Sequence, residues 1–180
     1  VLVNNASYTP EGSFLTVPTK RWMIGFKVTV IAAVELTQAF LPGMLERGRG
    51  RVLNVGSESG KYYTEPPEGW EPYPDGFGPP MMYPVTKSAL ERLTIGLNDE
   101  FGKRGVSFLN LRAGKMTSES YRYLSGRMGY HFDFDRVHDS NESADGVMWM
   151  LQQPTEYSGR ILNFPDLMRM GVMVDKPDAW

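Results

Sequence analysis

The 180-residue sequence contains no cysteine. This absence excludes disulfide bonds, thiolate zinc sites and a cysteine nucleophile, and it is compatible with a reducing cytosol. The formal net charge is only −2, so the composition lacks the basic excess that binds nucleic acid or an anionic membrane. No apolar run approaches the ~20 residues that span a bilayer, and no signal peptide is recognisable. We therefore expect a cytoplasmic protein without nucleic-acid or membrane partners.

Histidine is also scarce. The chain has two, His131 and His138, in a polar and aromatic stretch. They do not belong to a His-Glu-x-x-His pattern or to any similar metal-binding motif. We expect both to be ordinary surface histidines and predict no metal site.

What the sequence does contain is typical of one globular domain. Hydrophobic residues make up 41% and charged residues 22% of a chain long enough to bury a sizeable core. It opens on the apolar run Val1-Leu2-Val3 without an initiator methionine. Because chain termini are usually exposed and frayed, whereas this run is typical of a buried strand, we expect further residues to precede it.

Apolar strands alternate with helical patterns along the chain. Strands are predicted at 1–3, 51–55, 106–111 and 160–164, and helices at about 19–45, 80–103 and 141–152. Ser140 and Asn141 are the cap candidates of the last helix. This alternation predicts an α/β fold with a parallel sheet and helices on both faces.

Residues 61–80 change composition sharply. They hold six of the thirteen prolines together with five aromatic residues. The segment is too rich in proline for a helix or central strand and too aromatic for a flexible linker. We predict a packed insertion that forms a lid or wall over a pocket.

Tyr83 and Lys87 lie four residues apart at the start of a predicted helix. Side chains at this spacing share one helical face. A neighbouring ammonium favours the phenolate, so the pair predicts a tyrosine pKa below its usual ~10, suited to moving a proton near neutral pH. Taken alone, the spacing is equally typical of two surface side chains.

The order of motifs strengthens that interpretation. A first strand leads to Asn4-Asn5-Ala6-Ser7, a later strand to Gly56-Ser57, then come Tyr83-x-x-x-Lys87-Ser88-Ala89-Leu90 and finally Ala113-Gly114-Lys115-Met116-Thr117. This ordered set resembles the short-chain dehydrogenase/reductase family over about residues 1–164. The resemblance implies a Rossmann-like, doubly wound parallel sheet and an NAD(P)-dependent oxidoreductase acting on a small alcohol or carbonyl compound.

The resemblance also implies roles at the matching positions. Tyr83 is expected to be the catalytic acid/base, and Lys87 to lower its pKa and hold the nicotinamide ribose. Ser57 is expected to polarise the substrate oxygen, with Ser59 as a second candidate. Residues expected to contact NAD or NADP, besides Tyr83 and Lys87, are Asn4, Asn5, Ala6, Gly114, Met116 and Thr117. The family commonly pairs the helices at 19–45 and 80–103 across a two-fold axis, which implies a homodimer or homotetramer.

The chain departs from the family pattern in several places. Thr29 aligns with an asparagine that normally completes a proton relay, Ser7 replaces a glycine, and Ala113 replaces a proline. The largest departure is that no Gly-x-Gly-x-x-Gly sequence is present, although this loop normally binds the pyrophosphate. We therefore expect about 70–90 further residues upstream, from the size of βαβ units, and interpret residues 1–180 as the C-terminal portion of a Rossmann domain.

Two other functions compete with an oxidoreductase. The chain could be a non-catalytic binding or regulatory relative that kept the sheet and lost the chemistry. A serine hydrolase using Ser57 or Ser59 is the third, but its nucleophile pattern Gly-x-Ser-x-Gly is not met because Glu58 occupies the serine position.

Overall fold

A computed structural model describes residues 1–10, 12–61, 81–119, 122–123 and 133–177. Its main sheet has four strands, β1 (Leu2–Asn4), β2 (Gly50–Ser57), β3 (Val106–Ala113) and β6 (Arg160–Asn163), in the order β1-β2-β3-β6. Every neighbouring pair is parallel. This arrangement confirms the parallel sheet predicted from the alternating pattern.

Helices cover both faces of this sheet. On one face, Val52 and Phe108 pack against Leu41 and Met44 of helix α1 (Thr19–Glu46). On the other, Leu53 and Leu109 belong to a core that includes Met150 of α3 (Ser140–Gln152) and Phe164 and Leu167 of α4 (Phe164–Arg169). Because successive strand residues point to opposite faces, each strand contributes to both cores. The predicted three-layer arrangement is confirmed.

Helix α1 is continuous over 28 residues and passes through Pro42, with a π-helical turn at Lys27–Ile31. By length and composition this helix would suffice to cross a membrane. We had expected no segment of this kind, because no uninterrupted apolar run approaches the length of a membrane span. The core helix of a globular domain has the same composition, and Ala33, Leu41 and Met44 of α1 are buried. The helix starts and ends within one residue of the predicted 19–45.

Helix α2 (Met82–Phe101) lies within the predicted 80–103 range and continues as a 3₁₀ turn to Arg104. It contacts both β2 and β3. Gly105 then adopts φ 79°, a left-handed conformation that favours glycine, and an added Cβ would lie 2.1 Å from the carbonyl oxygen of Gly48. This conformation ends the helical segment before β3 begins at Val106.

Three local details differ from the prediction. Two short parallel strands that were not predicted, β4 (Met116–Thr117) and β5 (His138–Asp139), form a second sheet. Helix α3 is capped by Asp139, not by Ser140 or Asn141, because its carboxylate accepts from the backbone N–H of Glu142 while Glu142 accepts from that of Asp139. The last strand ends at Asn163, since Phe164 begins α4.

The predicted lid at 61–80 lies, apart from Lys61, outside the described residues.

Candidate active site

The polar residues predicted to form the site lie at the carboxyl ends of neighbouring parallel strands. Asn4 ends β1, Ser57 ends β2, and β3 ends one residue before Gly114. Ser57 is in register with Ala113. Ligands of open parallel sheets bind at this edge. The fold therefore places three of the predicted motifs side by side.

Helix α2 brings Tyr83 to Ser57. Ser57 is buried and is the side-chain hydrogen-bonding group that lowers the pKa of the Tyr83 phenol. Ser59 lies one hydrogen bond further out, with its Oγ 2.9 Å from the Ser57 Oγ and its backbone N–H donating to the same atom at 3.3 Å. Of the two candidate serines, Ser57 is thus the one that acts on the pKa of Tyr83.

Lys87 lies one helical turn after Tyr83, as its spacing predicts. Its Nζ is 5.5 Å from the centroid of the Tyr83 ring and donates a hydrogen bond to the carbonyl oxygen of Val55 at 2.8 Å. Only 3% of the residue is exposed, and this burial lowers the pKa of Lys87 from 10.5 to about 8. The ammonium is therefore held between the tyrosine and strand β2.

The predicted direction of the Tyr83 pKa is wrong for this structure. Burial raises the pKa of Tyr83 above 10.0, and the hydrogen bond with Ser57 lowers it by less. The Lys87 charge lies over the ring and is directed to the Val55 carbonyl. Loss of water around the phenol outweighs the neighbouring groups, so Tyr83 is protonated at neutral pH.

The turn after β1 is anchored by buried hydrogen bonds between side chains. Asn4 donates from Nδ2 to Asn54 Oδ1 at 2.8 Å, and Asn54 donates to Thr94 Oγ1 of α2 at 2.9 Å. These buried amides tie β1 to β2 and to α2, because a buried amide left without a partner would be costly. Asn5 and Ala6, which follow, are exposed at the strand end.

Thr29 lies beside this turn, in the π-helical part of α1. Its Oγ1 accepts a hydrogen bond from the backbone N–H of Tyr8 at 3.3 Å. Together with Asn5, Ala6 and others it lines a cavity of about 70 Å³. That volume is well below the ~300–1,000 Å³ of small-molecule sites, so the hydroxyl here holds the turn.

The segment from Gly114 to Thr117 is supported by the second, smaller sheet. Met116 and Thr117 form β4 and pair with His138 and Asp139 of β5. Ser140 Oγ also donates to the carbonyl oxygen of Thr117 at 3.2 Å. The position of this segment therefore depends on residues about twenty positions further along the chain.

Sequence reasoning missed a buried ion pair behind the site. Arg112 donates from Nε and a terminal nitrogen to the two carboxylate oxygens of Glu91, at 2.6 and 2.7 Å. Glu91 follows Lys87 by four residues on α2, and Arg112 precedes Gly114 by two on β3. The pair thus joins the helix of Tyr83 to the strand that leads into Gly114. The sequence signal for this pair is Glu91, a charged residue that falls among the apolar positions of the buried face of α2.

Our expectation for His138 is wrong, because this side chain is 0% exposed; His131 lies outside the described residues. Across the described ranges, no group of three or more metal-ligating side chains occurs. The buried histidine instead packs its ring edge against Phe164.

The described residues fit one end of a nicotinamide dinucleotide. An ammonium carries three donors, and Lys87 uses one on Val55, so others are available to a ribose. Asn5, Ala6 and the segment from Gly114 to Thr117 border the same edge. The glycine loop that receives a pyrophosphate does not occur in the sequence.

Comparison with known proteins identifies the family. A family model described as short chain dehydrogenase matches residues 1–126. The uncharacterized oxidoreductase YvrD of Bacillus subtilis is 34% identical over 127 residues, which are 70% of this chain and 43% of that protein. The 2-keto-3-deoxy-L-fuconate dehydrogenase of Xanthomonas campestris is 33% identical over 106 residues, 59% of this chain and 31% of that protein. The chain thus spans less than half the length of these two relatives.

Solved structures share the fold. An oxidoreductase of the short chain dehydrogenase/reductase family from Burkholderia thailandensis has a TM-score of 0.73 at 18% identity, covering 94% of this chain and 64% of that one. A 3-oxoacyl-[acyl-carrier protein] reductase from Brucella melitensis has a TM-score of 0.69 at 22% identity, covering 90% and 59%. Taken with the family match over residues 1–126, these observations show that the chain belongs to the short-chain dehydrogenase family.

Proposed function

We propose that this chain carries the catalytic part of an NAD(P)-dependent oxidoreductase that interconverts a small alcohol and the corresponding carbonyl compound. The observation that carries the proposal is the buried Lys87 ammonium, which lies 5.5 Å from the centroid of the Tyr83 ring and is hydrogen-bonded to Val55 of β2, the strand that ends in Ser57. A hydroxyl, a phenol and an ammonium, which differ in acidity, lie together at a strand end where ligands bind. This combination is suited to proton transfer at a substrate oxygen.

Each group has a distinct role in this proposal. Tyr83, kept protonated by burial, donates its proton to a carbonyl oxygen during reduction and removes one from a hydroxyl during oxidation. Ser57 polarises the substrate oxygen. Lys87 holds the nicotinamide ribose with the donors that Val55 leaves available. When bound, the nicotinamide supplies or accepts the hydride.

The residues proposed to contact the cofactor are Asn4, Asn5, Ala6, Gly114, Met116 and Thr117, besides Tyr83 and Lys87. Structural neighbours are described with bound NAD or with bound NADPH, so the proposal covers both. Relatives named as a 2-keto-3-deoxy-L-fuconate dehydrogenase and a very-long-chain 3-oxoacyl-CoA reductase support a carbonyl or hydroxyl substrate as a class. Cytoplasmic localisation stays a prediction.

A non-catalytic relative is the second candidate. The observation that favours it is at Thr29, whose hydroxyl binds the backbone of Tyr8 where the family has a relay asparagine. If the relay is lost, the same fold could bind a ligand without turning it over.

Replacing Tyr83 with phenylalanine separates the two candidates. In the full-length protein, Tyr83→Phe should lower kcat by about 10²–10⁴-fold, the usual contribution of general acid–base catalysis, and leave cofactor affinity nearly unchanged. Tyr157→Phe is the matched control, because Tyr157 packs against Trp149 on the opposite core. A Tyr83→Phe variant that keeps more than about a tenth of the rate would show that another acid acts. Wild-type protein that binds cofactor but turns over no substrate would favour the non-catalytic relative.

A further inference from the structure

His138 is a buried imidazole at the meeting point of three elements. It lies on β5, its Nδ1 is 3.4 Å from Glu142 Oε2 of α3, and its ring is edge-on to Phe164 of α4 with centroids 5.2 Å apart. The side chain is 0% exposed. Both ring nitrogens lack a hydrogen-bond partner, although buried polar atoms normally have one. The site therefore holds an uncharged ring, and the acceptor nearest to a charged one is the Glu142 carboxylate.

The carboxylate nearest to His138 is already engaged. Glu142 Oε2 accepts the backbone N–H of Asp139 at 2.9 Å, which is one half of the α3 capping box, and Glu142 Oε1 is 3.9 Å from Lys176 Nζ. A protonated ring would compete for the oxygen that caps the helix. Protonation of His138 thus has a structural cost at the start of α3.

Three charged side chains shift the pKa of His138. Glu142 and Asp139 favour its protonated form, and Lys176 opposes it. Phe164 and the paired residue Met116 bring no charge. Burial is the largest effect and lowers the pKa of His138 below 6.5.

The strand of His138 also supports the candidate cofactor segment. Met116 pairs with His138, and Thr117 pairs with Asp139. Among the described residues, β5 is the only strand that pairs with β4. Ser140 of α3 adds its hydrogen bond to the Thr117 carbonyl. A shift of β5 or of the α3 N-terminus therefore acts directly on the segment that starts at Gly114.

We propose that His138 is a proton-sensitive latch, in which the neutral ring holds β5 against β4 and its protonation releases the segment Gly114–Thr117. The latch is a property of the chain itself and is measurable without any cofactor. Its consequence, weaker binding of the nicotinamide end in acid, rests on the proposed function. None of the three proposed catalytic residues, Ser57, Tyr83 and Lys87, takes part in the latch.

The pH dependence of the closed segment follows from the different proton affinities of His138 in the closed and the released forms. Above pH 6.5 the ring is neutral in both the closed and the released segment, so the latch is fully closed. As the pH falls below 6.5, the released form binds a proton more readily than the closed form, and the closed form loses stability. One proton changes the equilibrium by at most tenfold for each pH unit.

The first test measures the ring and the segment together. In a His131→Gln background, His138 is the single histidine, so its imidazole signals are followed by NMR from pH 7.5 to 4.5. Amide exchange, corrected for intrinsic rates, is measured over the same range for residues 116–118, with the buried β3 residue Leu111 as an internal reference. We expect titration below pH 6.5 and a parallel loss of protection at 116–118. Unchanged protection while His138 titrates would overturn the latch.

His138→Phe is the matched variant. Because neither ring nitrogen has a partner, phenylalanine keeps the packing against Phe164 and removes the titration. We expect protection at 116–118 to persist at pH 5 in this variant. If protection falls with acid as in the parent chain, the latch is not His138.

Two further variants keep the test decisive if His138→Phe does not fold. Glu142→Gln retains a capping oxygen and removes the charge that favours the protonated ring, so the His138 titration should move to lower pH. Lys176→Gln removes the opposing charge, so the titration should move to higher pH. The pH at which 116–118 lose protection should follow each shift. Shifts in the same direction, or protection that does not follow, would contradict the proposal.

Discussion

Among single residues, Lys87 combines a proposed functional role with a cost to stability. Its Nζ is buried beside Tyr83, and the fall of its pKa from 10.5 to about 8 corresponds to roughly 3 kcal/mol. Below pH 8 the side chain is charged in both folded and unfolded states, so the folded state bears this cost. As the pH rises from 8 to 10.5, the folded state loses its proton first and the free energy of unfolding should increase.

Lys87→Met tests this directly. The variant should lose activity in the full-length protein, yet be at least as stable as the parent chain at pH 7, since losing the charge offsets the loss of the Val55 hydrogen bond at ~1 kcal/mol. Its alkaline gain in stability should disappear. Urea unfolding between pH 7 and 10.5 measures both effects, with the exposed Lys103→Met as control. A variant less stable than the parent that keeps the alkaline gain would contradict the argument.

Residue positions and residue properties were predictable to different degrees. Ser57, Tyr83 and the Asn4 turn meet at one sheet edge as predicted, because strand ends and helical spacing follow from local pattern. The direction of the Tyr83 pKa was wrong, and the burial of His138 was missed. Both depend on how much water other elements exclude, which no local spacing encodes.

The elements behind the site are joined by the Glu91–Arg112 pair. Its side chains are only 10% and 20% exposed. Removing one partner of a buried ion pair leaves an uncompensated charge, which typically costs ~3–5 kcal/mol. Arg112→Met should therefore destabilise the chain by about that amount in urea unfolding. Arg169→Met, which breaks an exposed pair with Asp166, should cost at most ~1 kcal/mol.

A double variant separates charge from packing. Replacing Glu91 with leucine together with Arg112→Met removes both charges, and apolar replacements of buried pairs are often near neutral. We expect the double variant to be more stable than Arg112→Met alone. If the double variant loses as much as the sum of the single variants, the two side chains do not act as a pair.

The larger elements were predicted because each carries its own periodicity. β2, β3, α1 and α2 contain eight or more residues, enough for a pattern to show. β4 and β5 contain two residues each, too few for any period. The Asp139 cap was missed because Ser140 and Asn141 are equally good capping residues, although Asp139-x-x-Glu142 is the sequence signature of the capping box that the structure shows.

At the scale of the whole molecule, α1 and α2 present apolar surface away from the sheet. Ile31, Leu36 and Phe40 of α1 are exposed, and a groove of about 390 Å³ between the two helices is lined by Leu93, Leu97 and others. We predict a homodimer through these helices.

Phe40→Glu should shift the full-length protein to monomer in sedimentation velocity. Met148→Glu, at an exposed site on α3, should leave the assembly intact, and a wild-type monomer at micromolar concentration would count against the prediction.

The last prediction concerns the outer edge of the sheet. Within the described residues, β1 pairs with β2 on one side only, and Val1 and Val3 are 79% and 41% exposed. Unpaired backbone beside apolar side chains promotes aggregation. We therefore expect the 180-residue chain to be poorly soluble or marginally stable, which its solubility and its midpoint of urea unfolding measure.

The same edge limits cofactor binding. Pyrophosphate recognition uses a glycine loop at a helix N-terminus, where backbone N–H groups reach the phosphates, and the sequence has no such loop. The residues proposed to contact the cofactor would bind its nicotinamide end, so the 180-residue chain should bind NADH and NADPH weakly or not at all. Fluorescence titration of the isolated chain against the full-length protein measures this difference. Micromolar binding by the isolated chain would show that the segments at Asn4, Lys87 and Gly114 hold the dinucleotide without a glycine loop, or that a second chain supplies one.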